Sequence, residues 1–167
     1  MKQNGSMYVA AVLIALVAYF VYQWWFNPNR MVKARLGDIA AAVSIPPNEA
    51  ELARVGRIAQ LRKLVTADVH VTLGTHGADL QSRDAVIGAA AGFTAPPGGW
   101  NVDFVNADVA VSGDGTARAF VTAEVTSRDV QTGSQTQDSR EVTFSFVKQD
   151  GAWLVREAEV KDLPKTP

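Results

Sequence analysis

Cysteine is absent from the 167 residues, which excludes a disulfide framework, thiolate metal ligation and a cysteine nucleophile. Histidine occurs twice, at His70 and His76. Neither sign of charge is in excess: 16 Lys+Arg face 17 Asp+Glu, so the basic footprint of a nucleic-acid binder is missing and no nucleic-acid partner is expected. A phosphate-cradling loop is lacking too. The small-residue run Gly88-Ala89-Ala90-Ala91-Gly92 is followed by Phe93 where such a loop needs lysine, so nothing supports nucleotide hydrolysis. The length suffices for one ordinary domain and excludes two large ones.

What the chain does have is one long apolar run. Of the 20 residues from Met7 to Phe26, 19 are apolar and the exception is Gln23. At about 1.5 Å per residue this run covers about 30 Å, the thickness of a bilayer's hydrocarbon core. It ends in Tyr22, Trp24, Trp25 and Phe26, an aromatic cluster suited to the headgroup belt and unlike the small residues of a signal-peptide cleavage point. The expectation is a single-pass membrane protein. Its partners would be the membrane and a membrane protein, with the larger domain extracytoplasmic and the cytoplasm as the alternative. All three tyrosines lie in this run, so residues 27–167 contain none.

Behind the run, Met31–Val43 is free of proline and rich in alanine, and it stops before Pro46-Pro47. That pattern predicts a stalk helix. From Pro47 to Val65 the apolar residues Leu52, Val55, Ile58, Leu61 and Val65 recur at steps of three and four, predicting an amphipathic helix whose stripe meets the core. The period then changes to two. Val69, Val71 and Leu73 alternate with Asp68, His70 and Thr72, as in a half-buried strand. Ser82 can cap a short helix from Arg83 to Ala91. Four strands follow at Trp100–Val111, Thr116–Arg128, Arg140–Lys148 and Ala152–Lys161, joined mostly by short turns. The fold class expected is α+β: a transmembrane helix, then helices on a strongly curved antiparallel sheet. The expected segments are a tail at 1–6, the membrane helix at 7–26, stalk and linker at 27–47, the domain at 48–161 and a tail at 162–167.

Three stretches carry a resemblance: Thr66-Ala67-Asp68-Val69-His70-Val71 after the long helix, Arg83-Asp84-Ala85-Val86 opening the short one, and Asp150-Gly151-Ala152-Trp153-Leu154-Val155 in the last hairpin. With the order helix, strand, small helix and four long strands, the chain resembles the nuclear-transport-factor-2-like superfamily, which includes polyketide-cyclase-like domains. The resemblance implies a cone-shaped α+β barrel whose open end can hold a small molecule. It also implies that isomerases, dehydratases, cyclases and non-catalytic modules all share the scaffold.

Ketosteroid-isomerase-like members pair an acid with a tyrosine, and this domain has no tyrosine. Dehydratase- and cyclase-like members use His and Asp, leaving His70 with Asp68, Asp103 and Glu157 as candidates, of which Glu157 and His70 are carried as catalytic candidates. By strict alternation Glu157 shares a face with Trp153 and Val155, whereas His70 and Asp103 point outward. An apolar ligand would be lined by Phe144, Phe146, Trp153 and Val155. Asp68, His70 and His76 offer three metal donors with no further histidine to complete a site, so neither metal nor cofactor is expected. The poor polar inventory of the cone favours a non-catalytic binding or assembly module at the membrane, with a homodimer through the sheet among its uses. The alternatives are an anchored dehydratase, cyclase or isomerase and an apolar-ligand carrier.

Overall fold

The computed structural model describes residues 4–25, 27–74 and 77–161, with the side chains of α1 described from 10 to 22. Four helices, α1 (Asn4–Trp25), α2 (Pro28–Val43), α3 (Glu51–Leu64) and α4 (Arg83–Gly92), accompany six strands. The strands are β1 (Val65–Leu73), β2 (Asp79–Leu80), β3 (Trp100–Val111), β4 (Thr116–Arg128), β5 (Gln135–Gln149) and β6 (Ala152–Lys161). They form one sheet in the order β2-β1-β6-β5-β4-β3. Every pairing is antiparallel except β1 with β6, which is parallel. The sheet is therefore mixed and open, with β2 and β3 as its edges, and not the closed antiparallel barrel expected. The parallel pair arises because β1 reaches β6 only after the whole meander has been laid down.

The membrane anchor is corrected. Among the described residues no helix is long and apolar enough to cross a membrane. The single-pass localisation falls with the anchor on either side of the bilayer. Trp24, Trp25 and Phe26, taken as an interfacial belt, lie outside the described side chains.

The stretch expected as a stalk is part of the core. Asn27 caps α2 by accepting from the Asn29 amide at 3.0 Å, with Pro28 at its first position. Val32, Leu36, Ile39 and Ala42 then turn one buried face toward the sheet. On α3 only Leu61 and Leu64 are buried, while Leu52 and Val55 are 84% and 60% exposed. Only the C-terminal end of the expected stripe meets the core. Arg57 anchors this helix with two bonds to Glu49 at 2.7 and 3.1 Å, and a third to the Ala42 carbonyl at 3.2 Å, which the end of α2 leaves free. Both partners are about nine-tenths buried, and the guanidinium holds the Glu49 carboxyl below the usual carboxylate range.

Inside the sheet, large residues on β5 lie opposite small ones on β4: Phe144 opposite Ala119 and Phe146 opposite Ala117. Trp153, Val155 and Ala158 of β6 continue the same surface. Alanine leaves room for each ring, and α2 closes over them. Register shifts interrupt the alternation in β1 between Val65 and His70, and in β3 and β6. In β3, the two residues between Val105 and Asp108 oppose the single residue Val121 of β4, and Asn106 adopts a φ of 53°, so Val102 and Phe104 before it and Ala107, Val109 and Val111 after it all face the core. In β6, Val155 opposes Phe146 and Glu157 opposes Ser145, leaving Arg156 as the extra residue. Gly99, at a φ of 82°, lets Ile45 and Pro47 approach so closely that a Cβ would stand 2.8 Å from the Ile45 carbonyl.

Phe146 is 2% exposed, and Phe146→Ala is expected to cost about 3–5 kcal/mol, read as a lowered urea midpoint.

Candidate functional site

The bulge in β6 decides where the candidate side chains go. Were alternation unbroken, Glu157 would join Trp153 and Val155 inside. The extra residue Arg156 turns Glu157 outward and brings Ala158, 7% exposed, into the core. The sequence placement of Glu157 beside the core aromatics is therefore corrected. Its signal was present: Arg156-Glu157 is a polar pair between apolar Val155 and Ala158 where alternation allows one polar residue.

Outward-facing residues of five strands now form one row. Ala110 of β3 opposes Arg118 of β4, which opposes Ser145 of β5, then Glu157 of β6, then His70 of β1. The row lines an open hollow of about 590 Å³ whose walls also include Asp68, Ser112, Thr116 and Arg156. His70 is thus outward, as alternation predicts, and it stands beside Glu157. The His70 imidazole Nε2 is hydrogen-bonded to the Asp79 carboxylate, which β2 delivers opposite Thr72. The Gln81 amide donates to the other Asp79 oxygen at 2.9 Å. The Gln81 amide first, and His70 second, hold the Asp79 carboxyl below its ordinary range. Ser145 Oγ donates to Glu157 Oε2 at 3.5 Å. Arg156 Nε lies 3.7 Å from Asp68 Oδ2. Asp103 is also outward, accepting from the Asn101 amide at 2.6 Å, away from this row.

Phe144, Phe146, Trp153 and Val155 occupy the space a cone would offer to a ligand. They are 6%, 2%, 3% and 3% exposed, and Phe144 meets Phe104 edge to face at 5.3 Å between ring centroids. His76, the third metal donor considered, lies outside the described residues. Sequence reasoning did not reach Arg118, Ser145 and Asp79, because only cross-strand register brings them to Glu157 and His70.

Helices on one face of a mixed, strongly bulged sheet define the nuclear-transport-factor-2-like, cystatin-like fold. Solved structures share it. A nuclear-transport-factor-2-like protein with a cystatin-like fold from Novosphingobium aromaticivorans is 19% identical, with 90% of each chain covered and a TM-score of 0.65. A proposed scytalone dehydratase from the same organism is 15% identical over 81% of this chain and 83% of that one, with a TM-score of 0.64. A proposed calcium/calmodulin-dependent protein kinase II association domain from Xanthomonas campestris is 16% identical over 72% of this chain and 94% of that one, with a TM-score of 0.55. At such identities these likenesses establish the fold alone. The sequence profile of the SnoaL-like domain matches residues 48–156, and the chain belongs to that family, whose members include ligand-binding and enzymatic domains. No curated protein matches the chain in sequence.

A lowered carboxyl pKa stabilises the fold above the pKa of the unfolded chain, about 3.9, and that contribution is lost as pH falls through the folded value. Asp79→Asn is therefore expected to lower the urea midpoint modestly at pH 7, and the difference from the wild type is expected to shrink as pH falls below the ordinary carboxylate range and through the lowered folded value.

Proposed function

We propose that the domain is a non-catalytic binding or assembly module whose working surface is the outer face of the sheet. The observation that carries this reading is the filled interior. Phe144, Phe146, Trp153 and Val155 are almost fully buried against alanines and α2, so the volume in which the fold could hold an apolar ligand is filled by side chains. The chemistry that remains is displayed on an open strand surface. That surface also carries Phe120, 49% exposed, with Thr122 and Glu124 further along β4. The neighbour named an association domain supports an assembly use of this scaffold; the likeness lends fold and no more.

One arrangement favours a second reading, a small-molecule acid–base enzyme: His70 with Asp79, and Glu157 with Ser145, border the same hollow. It ranks below the first. The hollow is open to solvent and lacks the enclosure that would shut water away from a reacting molecule.

Native mass spectrometry of the purified chain is expected to show protein assemblies without a retained small molecule. Phe120→Asp, on the exposed face, is expected to convert them to monomer with an unchanged circular dichroism spectrum. A stoichiometric small molecule held by a monomer, or an assembly indifferent to Phe120→Asp, would overturn the reading.

A further inference from the structure

We propose that the open edge of β3 is a docking site for an extended segment of another protein, one in which aliphatic and basic side chains alternate, added to the sheet as a further strand. The site is the rim of the sheet beside α2, so the inference goes beyond the outer-face reading and does not depend on it.

An edge strand presents unpaired N–H and C=O groups, which proteins guard by shortness, lysine, proline, a bulge or a covering segment. The two edges of this sheet differ in their guards. At one edge β2 is only two residues long. At the other, β3 has 12 residues without Lys, Arg or Pro, and its guards are the bulge at Asn106 and the chain that leaves α2. That chain covers one end only. Ile45 exchanges two backbone bonds with Trp100, each of 2.7 Å, and Ser44 Oγ accepts from the Val102 amide at 2.9 Å. Alternation turns the N–H and C=O of Phe104 the same way, and past the bulge those of Val109 and Val111. Among the described residues no hydrogen bond meets them on that side. The open rim from Phe104 to Val111 is about 26 Å long at the strand rise.

A strand laid along this rim would send alternate side chains into two environments. On the core side they enter a hollow of about 570 Å³ between α2 and β3, walled by Gly37, Ala40 and Ala41 on the helix and Val102, Phe104 and Ala107 on the strand. A Cβ at Gly37 would meet nothing within 4 Å, so Val, Ile or Leu finds both room and apolar walls there. Lys33 also lines the hollow and opposes cations on that side. On the outer side the chemistry is acidic. Asp103 lies directly opposite Glu124, a like-charge pair that disfavours the strand pairing, and Asp108 follows beyond the bulge. Among the described residues none of the three takes part in an ion pair. Lys or Arg on the added strand would supply the missing charge. The same signs select against a second copy, since two β3 edges paired with each other would set Asp103 and Asp108 of one chain beside those of the other.

Fluorescence anisotropy with the full chain and a labelled peptide of alternating lysine and valine, long enough to span the open rim, tests the assignment. Saturable binding is expected, weaker as salt is raised. Three changes should each weaken it about tenfold or more. Gly37→Leu fills the hollow from an exposed helix position and should leave the circular dichroism spectrum unchanged. Asp103→Lys reverses the sign of the outer side. Methylating the peptide nitrogens that face β3 removes the strand bonds and keeps every side chain. Hydrogen exchange at the Phe104, Val109 and Val111 amides should slow on binding. No saturable binding up to about 1 mM peptide overturns the site. Binding that survives methylation and leaves those amides unprotected is charge attraction alone and overturns strand addition, and binding indifferent to Gly37→Leu overturns the hollow. A glutamate–valine peptide that binds as tightly overturns the basic partner. Protection of the same amides in the free chain, growing with its own concentration, assigns the edge to a second copy and overturns the proposal.

Discussion

Two phenylalanines on β5 seated over two alanines on β4 set the terms for everything else in this domain. A sheet curving round its helices encloses space, and something must occupy it, since a void forfeits the contacts of every atom lining it. Here Phe144 and Phe146 rise from one strand opposite Ala119 and Ala117 of the next. The small side chains admit the rings without strain, and the buried faces of α2 and the end of α3 complete the layer. Helix placement follows from that arrangement.

With the interior committed to packing, chemistry is displaced to the opposite surface, and the bulge in β6 is the device that does it. A single extra residue, Arg156, moves Glu157 from the aromatic side to the side of His70. The same device in β3 at Asn106 keeps that edge strand's apolar residues on the core side along its length. Bulges bend a strand as well as shifting its faces. Curvature and site composition in this fold are therefore products of one local event.

The resulting surface is polar but not uniform. A carboxylate–imidazole pair, a hydroxyl–carboxylate pair and the guanidinium of Arg118 share one row across five strands. Solvent reaches them, so their interactions are weak singly. Such groups contribute little within the chain, but burial by a complementary surface would strengthen them, because screening falls as water leaves. An open, charged sheet face is in this respect unfinished, in a way that the packed interior is not.

Periodicity alone determined most of the elements. The strands at Thr116–Arg128 and Ala152–Lys161, the Ser82-capped helix and the turn at Gln149-Asp150-Gly151 were legible because each depends on neighbours in sequence: alternation, a capping hydroxyl, a glycine with positive φ. The α+β class was legible for the same reason. What sequence misjudged depends on partners distant in the chain. The apolar run at 7–26 read as a membrane anchor from its length, its apolar composition and the aromatic cluster that ends it. Met31–Val43 read as a stalk because nothing local says that β3 will lie beneath it, and the stripe of α3 overreached because only its last turns find the sheet. The open edges of the sheet, the parallel joining of β1 to β6, and the row from Arg118 to His70 were decided by tertiary structure, since register between strands is set by the packing of their faces. A one-residue bulge is almost silent in a string of letters, yet it inverts the side on which every following residue stands.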